Sequence, residues 1–249
     1  MVLAVIIAAA SVFAGCGDTK QKDASLTTAQ SSQAATASHA APGDAHWFDD
    51  AVFLGDSVTK MLDIYCADDP EALGDAKFVC AGSLGFTNAQ WDIDAEDNVH
   101  PTYRGKTVLA ENCAKETGAN KGFIMLGMND IGVYGLDGSM DACKSLVDKI
   151  RKNSPDVAIY IQSVTPKLST HEDEVIYNEL IRDFDAKLEE YCKENDFKYL
   201  DIYNVVCDGD GALRPEYCGD PEPASEGGQG IHFTNEACRI WVEYLKNNV

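Results

Sequence analysis

The sequence has few basic residues for its size and lacks cysteine pairs at the spacing of a zinc site. It contains 20 Lys and Arg against 41 Asp and Glu, which gives a formal net charge of −21. A surface this acidic repels the phosphates of nucleic acids and of anionic lipid headgroups, so we expect neither as a partner of the folded domain. No C-x-x-C sequence occurs, which argues against a zinc ribbon. A neutral substrate fits this composition best.

The apolar run at the N-terminus is too short to span a bilayer. Residues 1–15 carry no charge and end in small residues before Cys16, which is typical of a secretory signal peptide. The segment FAGCGD resembles a bacterial lipobox, whose cysteine is lipidated and becomes the first mature residue. A buried apolar strand or helix is the alternative. We predict a lipid-anchored protein on the extracytoplasmic face of a bacterial cell membrane, attached to it only through Cys16.

The segment after Cys16 lacks large apolar side chains. Residues 16–46 are rich in Ala, Ser, Thr and Gln, and they cannot bury enough surface to offset the entropy lost on ordering. We therefore predict a flexible linker over this segment. Residues 47–249 remain, which is enough for one domain with a sizeable core, and we expect this domain to be a monomer.

Eight cysteines follow Cys16, and an exported chain could pair them in 105 ways. Cys207 and Cys218 flank a glycine-rich loop and are our best single prediction for a disulfide bridge. The alternative remains open that most of the eight are reduced and buried as small apolar residues.

Continuous apolar runs alternate with helical patterns along the rest of the chain. Runs that are apolar at every position are typical of strands buried on both faces of a parallel sheet. The pattern predicts an α/β fold, a three-layer α/β/α sandwich with a five-stranded parallel sheet. The predicted strands are 51–55, 77–82, 122–127, 157–163 and 197–203, and the predicted helices are 103–118, 140–154, 171–195 and 234–248.

Residues that carry chemistry follow the predicted strands, where ligands bind in such sheets. Ser57 follows the first strand, Gly85 the second and Asn129 the third, and His232 precedes the last helix. Acyl transfer needs a nucleophile, a base and donors for the developing oxyanion, and these residue types supply all three. Taken alone, Ser57 could simply cap a helix. We interpret Asp56 and Asp130 as structural and His171 as a solvated residue of a first helical turn.

Four segments in order resemble the sequence blocks of the SGNH/GDSL hydrolase superfamily. They are FLGDSVT, AGSLGFT, LGMND and GIHFTNEA, within a match over roughly residues 47–248. The resemblance implies an esterase that needs no metal or cofactor. It implies Ser57 and His232 as the catalytic pair, with an oxyanion hole formed by the Ser57 N–H, the Gly85 N–H and the Asn129 side chain.

The sequence departs from the family pattern close to the histidine. The family carries Asp three residues before its His, but Gln229 stands there. Gln229 could accept a hydrogen bond from the imidazole, and Asp220, Glu222 or Glu226 of the same loop could replace it. The orienting residue therefore stays open among these four.

Three functions are compatible with these residues. The first is a serine esterase that removes a short acyl group, acetyl above all, from a carbohydrate. The second is a catalytically impaired glycan-binding lipoprotein on the same scaffold, motivated by Gln229. The third is an O-acyltransferase that uses the same acyl-enzyme and passes the acyl group to a sugar hydroxyl.

Overall fold

The computed structural model describes residues 40–249. The predicted signal peptide, the lipidation site Cys16 and most of the predicted linker lie outside these residues. The first described element is a 3-10 helix, Ala45–Phe48, which Asp44 caps by accepting a hydrogen bond from the His46 N–H. Described secondary structure thus begins two residues before the predicted domain start at 47.

Seven strands and six α-helices follow within the described part of the chain. The strands are β1 (Ala51–Gly55), β2 (Lys77–Cys80), β3 (Thr102–Tyr103), β4 (Lys106–Thr107), β5 (Lys121–Met125), β6 (Ala158–Gln162) and β7 (Lys198–Leu200). The helices are α1 (Ser57–Asp68), α2 (Cys113–Thr117), α3 (Ile131–Asn153), α4 (Asn178–Asn195), α5 (Tyr203–Val206) and α6 (Asn235–Asn248).

The main sheet has the order β2-β1-β5-β6-β7, and all its strands are parallel. This confirms the predicted fold class. The chain moves outward from β1 to β2 and then returns to place β5 on the other side of β1. This reversal creates a crevice at the carboxyl ends of β1 and β5, where open α/β sheets bind their ligands.

Alternate residues of each central strand enter opposite cores. Val52 and Leu54 pack on one face with buried residues of α2, α3 and α4, whereas Phe53 packs on the other with buried residues of α1 and α6. Because helices cover both faces of the sheet, successive residues of the central strands are apolar instead of alternating between apolar and polar. This explains the continuous apolar runs in the sequence.

Two of the predicted helices are wrong over part of their length. Residues 102–107 form the antiparallel hairpin β3–β4, not the start of a helix. Arg104 and Gly105 both have positive φ, 50° and 75°, as a two-residue hairpin turn requires. Helix α4 starts at Asn178, not at 171, because the Asp173 carboxylate accepts the N–H groups of Val175 and Ile176 and holds them in a turn.

The predicted Cys207–Cys218 bridge is also wrong, because every described cysteine is a free thiol. Cys207 forms a β-bridge with Leu213, and Cys218 forms one with Phe233. Over residues 40–249, no helix combines the length and the apolar character needed to cross a bilayer.

Candidate active site

Ser57 lies at the junction of β1 and α1, half-buried at the carboxyl edge of the sheet. Asp56 caps the helix, since its carboxylate accepts a hydrogen bond from the Val58 N–H at 2.9 Å. A side chain at Gly55 would collide with Thr59 Oγ1, at 1.9 Å from the added carbon, so the sharp turn depends on glycine there. Ser57 therefore begins the helix, where backbone N–H groups point outward and stabilise negative charge.

Asn129 and Asp130 follow β5 and contact the loop after β2. The Asn129 side-chain amide donates a hydrogen bond to the Leu84 carbonyl at 3.0 Å. The Asp130 carboxylate accepts the N–H groups of Phe86, at 2.7 Å, and Thr87, at 2.9 Å. Asp130 thus orients the loop, which is the structural role predicted for it, and Asn129 keeps one side-chain N–H for a ligand.

Gly85 has a different role in this structure from the predicted one. Its N–H donates to Asn88 Oδ1 at 2.7 Å, so this group is already occupied by a side chain of its own loop. A side chain at Gly85 would lie 2.4 Å from the Asp130 carboxylate. Glycine is therefore required here by the close approach of Asp130, and the predicted oxyanion contact needs the Asn88 side chain to move.

His232 is held by Asp220. The imidazole Nδ1 lies 2.7 Å from Asp220 Oδ2, and the His232 backbone N–H donates to Asp220 Oδ1 at 3.0 Å. The same carboxylate accepts the N–H of Gln229, at 3.0 Å, and that of Ile231, at 3.1 Å. One aspartate therefore fixes both the position of the loop and the orientation of the imidazole, which leaves Nε2 facing away from it.

Gln229 is not the residue that orients His232. Its side chain is exposed and its contact with the site is made by its backbone N–H, to Asp220. Of the four residues left open by the sequence, Asp220 alone contacts the imidazole. The loop between Asp220 and His232 curls back on itself. Asp220, twelve positions before the histidine, therefore makes the contact with the imidazole that was expected of position 229.

The pKa of Asp220 is lowered despite its partial burial. Burial raises the pKa, but hydrogen bonds from the side chain and backbone of His232, from Gln229 and from Cys218 outweigh this effect. The Cys218 thiol donates to Asp220 Oδ1 at 3.3 Å, a contact that a disulfide at Cys218 would remove. Asp220 is therefore a carboxylate at neutral pH, as a residue that stabilises an imidazolium must be.

The pKa of Asp56, the residue before Ser57, is raised in the folded protein. Burial raises the pKa of Asp56 to about 6, while hydrogen bonds from Val58 and Thr59 and the positive charge of His232 lower it. The hydrogen bonds of the His232 imidazole and backbone N–H within residues 40–249 go to Asp220 and not to the Ser57 hydroxyl, and a bond between nucleophile and base often tightens only when substrate binds.

His171 is more than a solvated residue of a helical turn. It lies in a short 3-10 helix, and its Nε2 lies 2.7 Å from the Glu222 carbonyl oxygen. A side chain at Gly230 would collide with the His171 ring, at 2.6 Å from the added carbon. His171 therefore packs against the loop that carries His232 and fastens it to the loop after β6.

A family model for GDSL-like lipases and acylhydrolases matches residues 53–240. The fold is similar to that of an acylhydrolase from Bacteroides fragilis, at 15% identity and a TM-score of 0.58, over 79% of this chain and 84% of the other. A GDSL-like lipase from Bacteroides thetaiotaomicron is similar at 16% identity and a TM-score of 0.58, over 80% of this chain and 87% of the other.

The periplasmic domain of a lipopolysaccharide acetyltransferase from Salmonella Paratyphi A is also similar in fold. It shares 15% identity at a TM-score of 0.50, over 80% of this chain and 81% of the other. No curated protein matches the chain.

Proposed function

Since the chain belongs to the GDSL-like lipase/acylhydrolase family and is a carboxylic ester hydrolase, we propose that it removes acetyl or another short acyl group from a carbohydrate. The single observation that supports the proposed catalytic residues best is the 2.7 Å contact between Asp220 and His232 Nδ1. It supplies the carboxylate that Gln229 does not, and so supports an active esterase over an impaired, binding-only protein.

In the proposed mechanism, Ser57 is the nucleophile and His232 is the base. Ser57 Oγ forms a bond to the ester carbonyl carbon while His232 Nε2 takes its proton, and Asp220 stabilises the resulting imidazolium. The Ser57 N–H and the Asn129 amide donate to the oxyanion, and the Gly85 N–H joins them once Asn88 releases it. The alcohol leaves with the proton from His232, and water then cleaves the acyl-enzyme by the same steps in reverse order.

The preference for a neutral carbohydrate ester rests on charge. The formal net charge of −21 disfavours a phospholipid surface or a phosphorylated substrate. The cavity beside Asn129 includes polar side chains, Lys167 and Asp173 among them, which favours a polar substrate over a long acyl chain.

Hydrolysis of 4-nitrophenyl acetate tests this function, with Ser57→Ala as the decisive variant. We expect the purified domain to release nitrophenol and the variant to lose this activity. Ser154→Ala is a matched control, since Ser154 follows the last residue of α3, at the opposite end of this 23-residue helix from Asn129. Full activity in Ser57→Ala would overturn the assignment of the nucleophile.

An O-acyltransferase remains the second candidate, because hydrolysis and transfer share the acyl-enzyme. The likeness in fold to the acetyltransferase domain of Salmonella Paratyphi A keeps this candidate open. Product analysis with an acceptor sugar separates the two. Acetate alone supports the esterase, whereas an acetylated acceptor that accumulates faster than acetate supports the transferase.

We also propose that Cys16 anchors the protein to the outside of a bacterial cell membrane. The sequence FAGCGD supports this proposal. Labelling with a radioactive fatty acid tests it, with Cys16→Ser as the variant. We expect the label in the wild-type protein alone, and equal labelling of both proteins would contradict the proposal.

A further inference from the structure

A cavity of about 280 Å³ lies beside Asn129, one of the proposed oxyanion donors. Met128 and Asn129 line one side of it, and Gln229 and Ile231, next to His232, line another. A substrate group bound there would lie next to the Asn129 amide and to the loop that carries His232. The cavity is therefore placed to hold the acyl group or the leaving alcohol of the substrate.

The third side of the cavity carries an ion pair. Lys167 Nζ lies 3.4 Å from Asp173 Oδ2, and the Lys167 side chain is only 11% exposed. Asp173 is the one hydrogen-bond partner of this ammonium among residues 40–249, although an ammonium has three N–H donors. A buried ammonium with two unused donors favours a ligand that accepts hydrogen bonds.

The partner carboxylate sets the charge of that ligand. Asp173 Oδ1 accepts the N–H groups of Val175 and Ile176, while Oδ2 has Lys167 as its partner. Hydrogen bonds from Ile176 and Val175, together with Lys167, lower the pKa of Asp173, so the pair is ionised and carries no net charge at neutral pH. The pair offers both donors and acceptors, which suits hydroxyl groups and disfavours an added anion.

The remaining walls suit a ring with an apolar face. Met128, Ile176 and Ile231 contribute apolar surface next to the polar groups. A long alkyl chain would leave the two remaining N–H donors of the Lys167 ammonium buried without an acceptor, which is costly. A pyranose satisfies both kinds of wall, since its hydroxyls lie around the rim and its C–H groups form the faces.

We propose that this cavity binds the neutral sugar that carries the ester, with Lys167 and Asp173 as the residues that recognise its hydroxyls. This inference rests on the proposed function and names the part of the substrate that the cavity holds. Lys167 and Asp173 act on binding specificity, while the chemistry stays with Ser57 and His232.

The test compares two esters with the same acyl group. Methyl glucopyranoside monoacetates carry the sugar, and 4-nitrophenyl acetate lacks it. We expect Lys167→Met to lower kcat/KM for the sugar esters at least tenfold more than for 4-nitrophenyl acetate, chiefly through KM, because it removes binding rather than chemistry. The backbone of Lys167, which bonds Asn178 and Leu213, is left intact.

Two further variants keep the test decisive. Asp173→Asn retains the Oδ1 acceptor and is more than half exposed at its side chain, so it should fold, and we expect the same direction of change. Lys187→Met is the charge-matched control, because Lys187 pairs with Asp137 on the exposed surface, and it should leave both activities unchanged.

Equal losses on both esters in Lys167→Met and Asp173→Asn would overturn the inference. A wild-type enzyme that cleaves 4-nitrophenyl acetate but none of the sugar esters, or that prefers glucuronoside monoacetates or 4-nitrophenyl octanoate, would also overturn it. Absence of any Ser57-dependent cleavage of 4-nitrophenyl acetate would instead refute the proposed function, so the two failures are distinguishable.

Discussion

The pKa values of the aspartates differ in direction between two parts of the site. We call the residues that follow β1 and β5 the strand side, and the loop that carries Asp220 and His232 the loop side. On the strand side, Asp56 and Asp130 are buried and burial raises the pKa of both. On the loop side, Asp220 is partly exposed and its hydrogen bonds lower its pKa. All three carboxylates accept hydrogen bonds from backbone N–H groups, but only Asp220 also contacts an ionisable side chain. Only at Asp220 does the folded structure stabilise the ionised form of the carboxyl group.

This difference separates structural carboxylates from the one proposed to act in catalysis. Asp56 and Asp130, whose ionised forms are destabilised by burial, contribute to the site mainly by holding its backbone in place. A charge that the fold favours, next to an imidazole, stabilises the imidazolium formed during the reaction.

The largest effect is expected on the loop side, from Asp220→Asn. The amide NH₂ would face Nδ1 and favour the wrong tautomer, and the same change in a serine protease costs about 10⁴-fold in rate. We expect kcat/KM for 4-nitrophenyl acetate to fall by about that factor. Gln229→Ala is the matched control and should stay within about twofold, since a typical exposed side chain contributes little. Equal losses in the two variants would contradict the role of Asp220.

The second effect concerns stability and pH on the strand side, through Asp56→Asn. The rise in the pKa of Asp56 from 3.8 to about 6 means that the folded state holds the proton more tightly than the unfolded state. Its contribution to stability therefore falls as pH rises from about 4 to about 6, by about 3 kcal/mol in total.

Asparagine keeps the helix cap and carries no charge. We expect Asp56→Asn to be more stable than wild type at pH 7 and to lose this advantage at pH 4, as measured by urea unfolding. The control is Asp220→Asn, whose deficit should instead grow as pH rises through the acid range, because the pKa of Asp220 is lowered in the folded state. Parallel pH profiles for the two variants would refute the contrast.

The third effect is expected from Asp130→Ala. The N–H groups of Phe86 and Thr87 would lose their acceptor, which costs about 2 kcal/mol in the free energy of unfolding. Asp137→Ala, at an exposed position of α3, should leave the stability within about 0.5 kcal/mol. An unchanged unfolding midpoint in Asp130→Ala would show that these two hydrogen bonds do not hold the loop.

The smallest effect is expected from Cys218→Ala. It removes the thiol that donates to Asp220, which is a weak hydrogen bond worth about 0.5 kcal/mol. We expect kcat/KM to fall about twofold. Cys238→Ala removes an equally buried thiol in α6 and should leave kcat/KM unchanged, so a loss in both variants would point to a general effect on the fold.

The strand side of the site is also the side that sequence reasoning places well. Ser57 and Asn129 directly follow apolar runs, and in a parallel sheet the ends of such runs meet at one edge. The five strands of the sheet follow from the same pattern. Local periodicity decides these elements, and it is visible in a single sequence.

The contacts on the loop side could not be predicted from the sequence in the same way. The contact between Asp220 and His232 depends on the path of an irregular loop that has no periodicity, so four residues stayed open. The hairpin at 102–107 is not evident from the sequence, because Arg104 takes the positive φ that Asn, Asp or Gly usually adopts in such a turn. The role of Asn88 at Gly85 depends on one side-chain conformation, which sequence does not specify.

Inactivation by a fluorophosphonate tests the central claim most directly, since it needs an activated serine but no particular substrate. We predict a single adduct, located by mass spectrometry on Ser57. Its rate of formation should fall about 10⁴-fold in Asp220→Asn and stay near the wild-type value in Gln229→Ala. No adduct at Ser57, or an undiminished rate in Asp220→Asn, would contradict a nucleophile activated by His232 and held in place by Asp220.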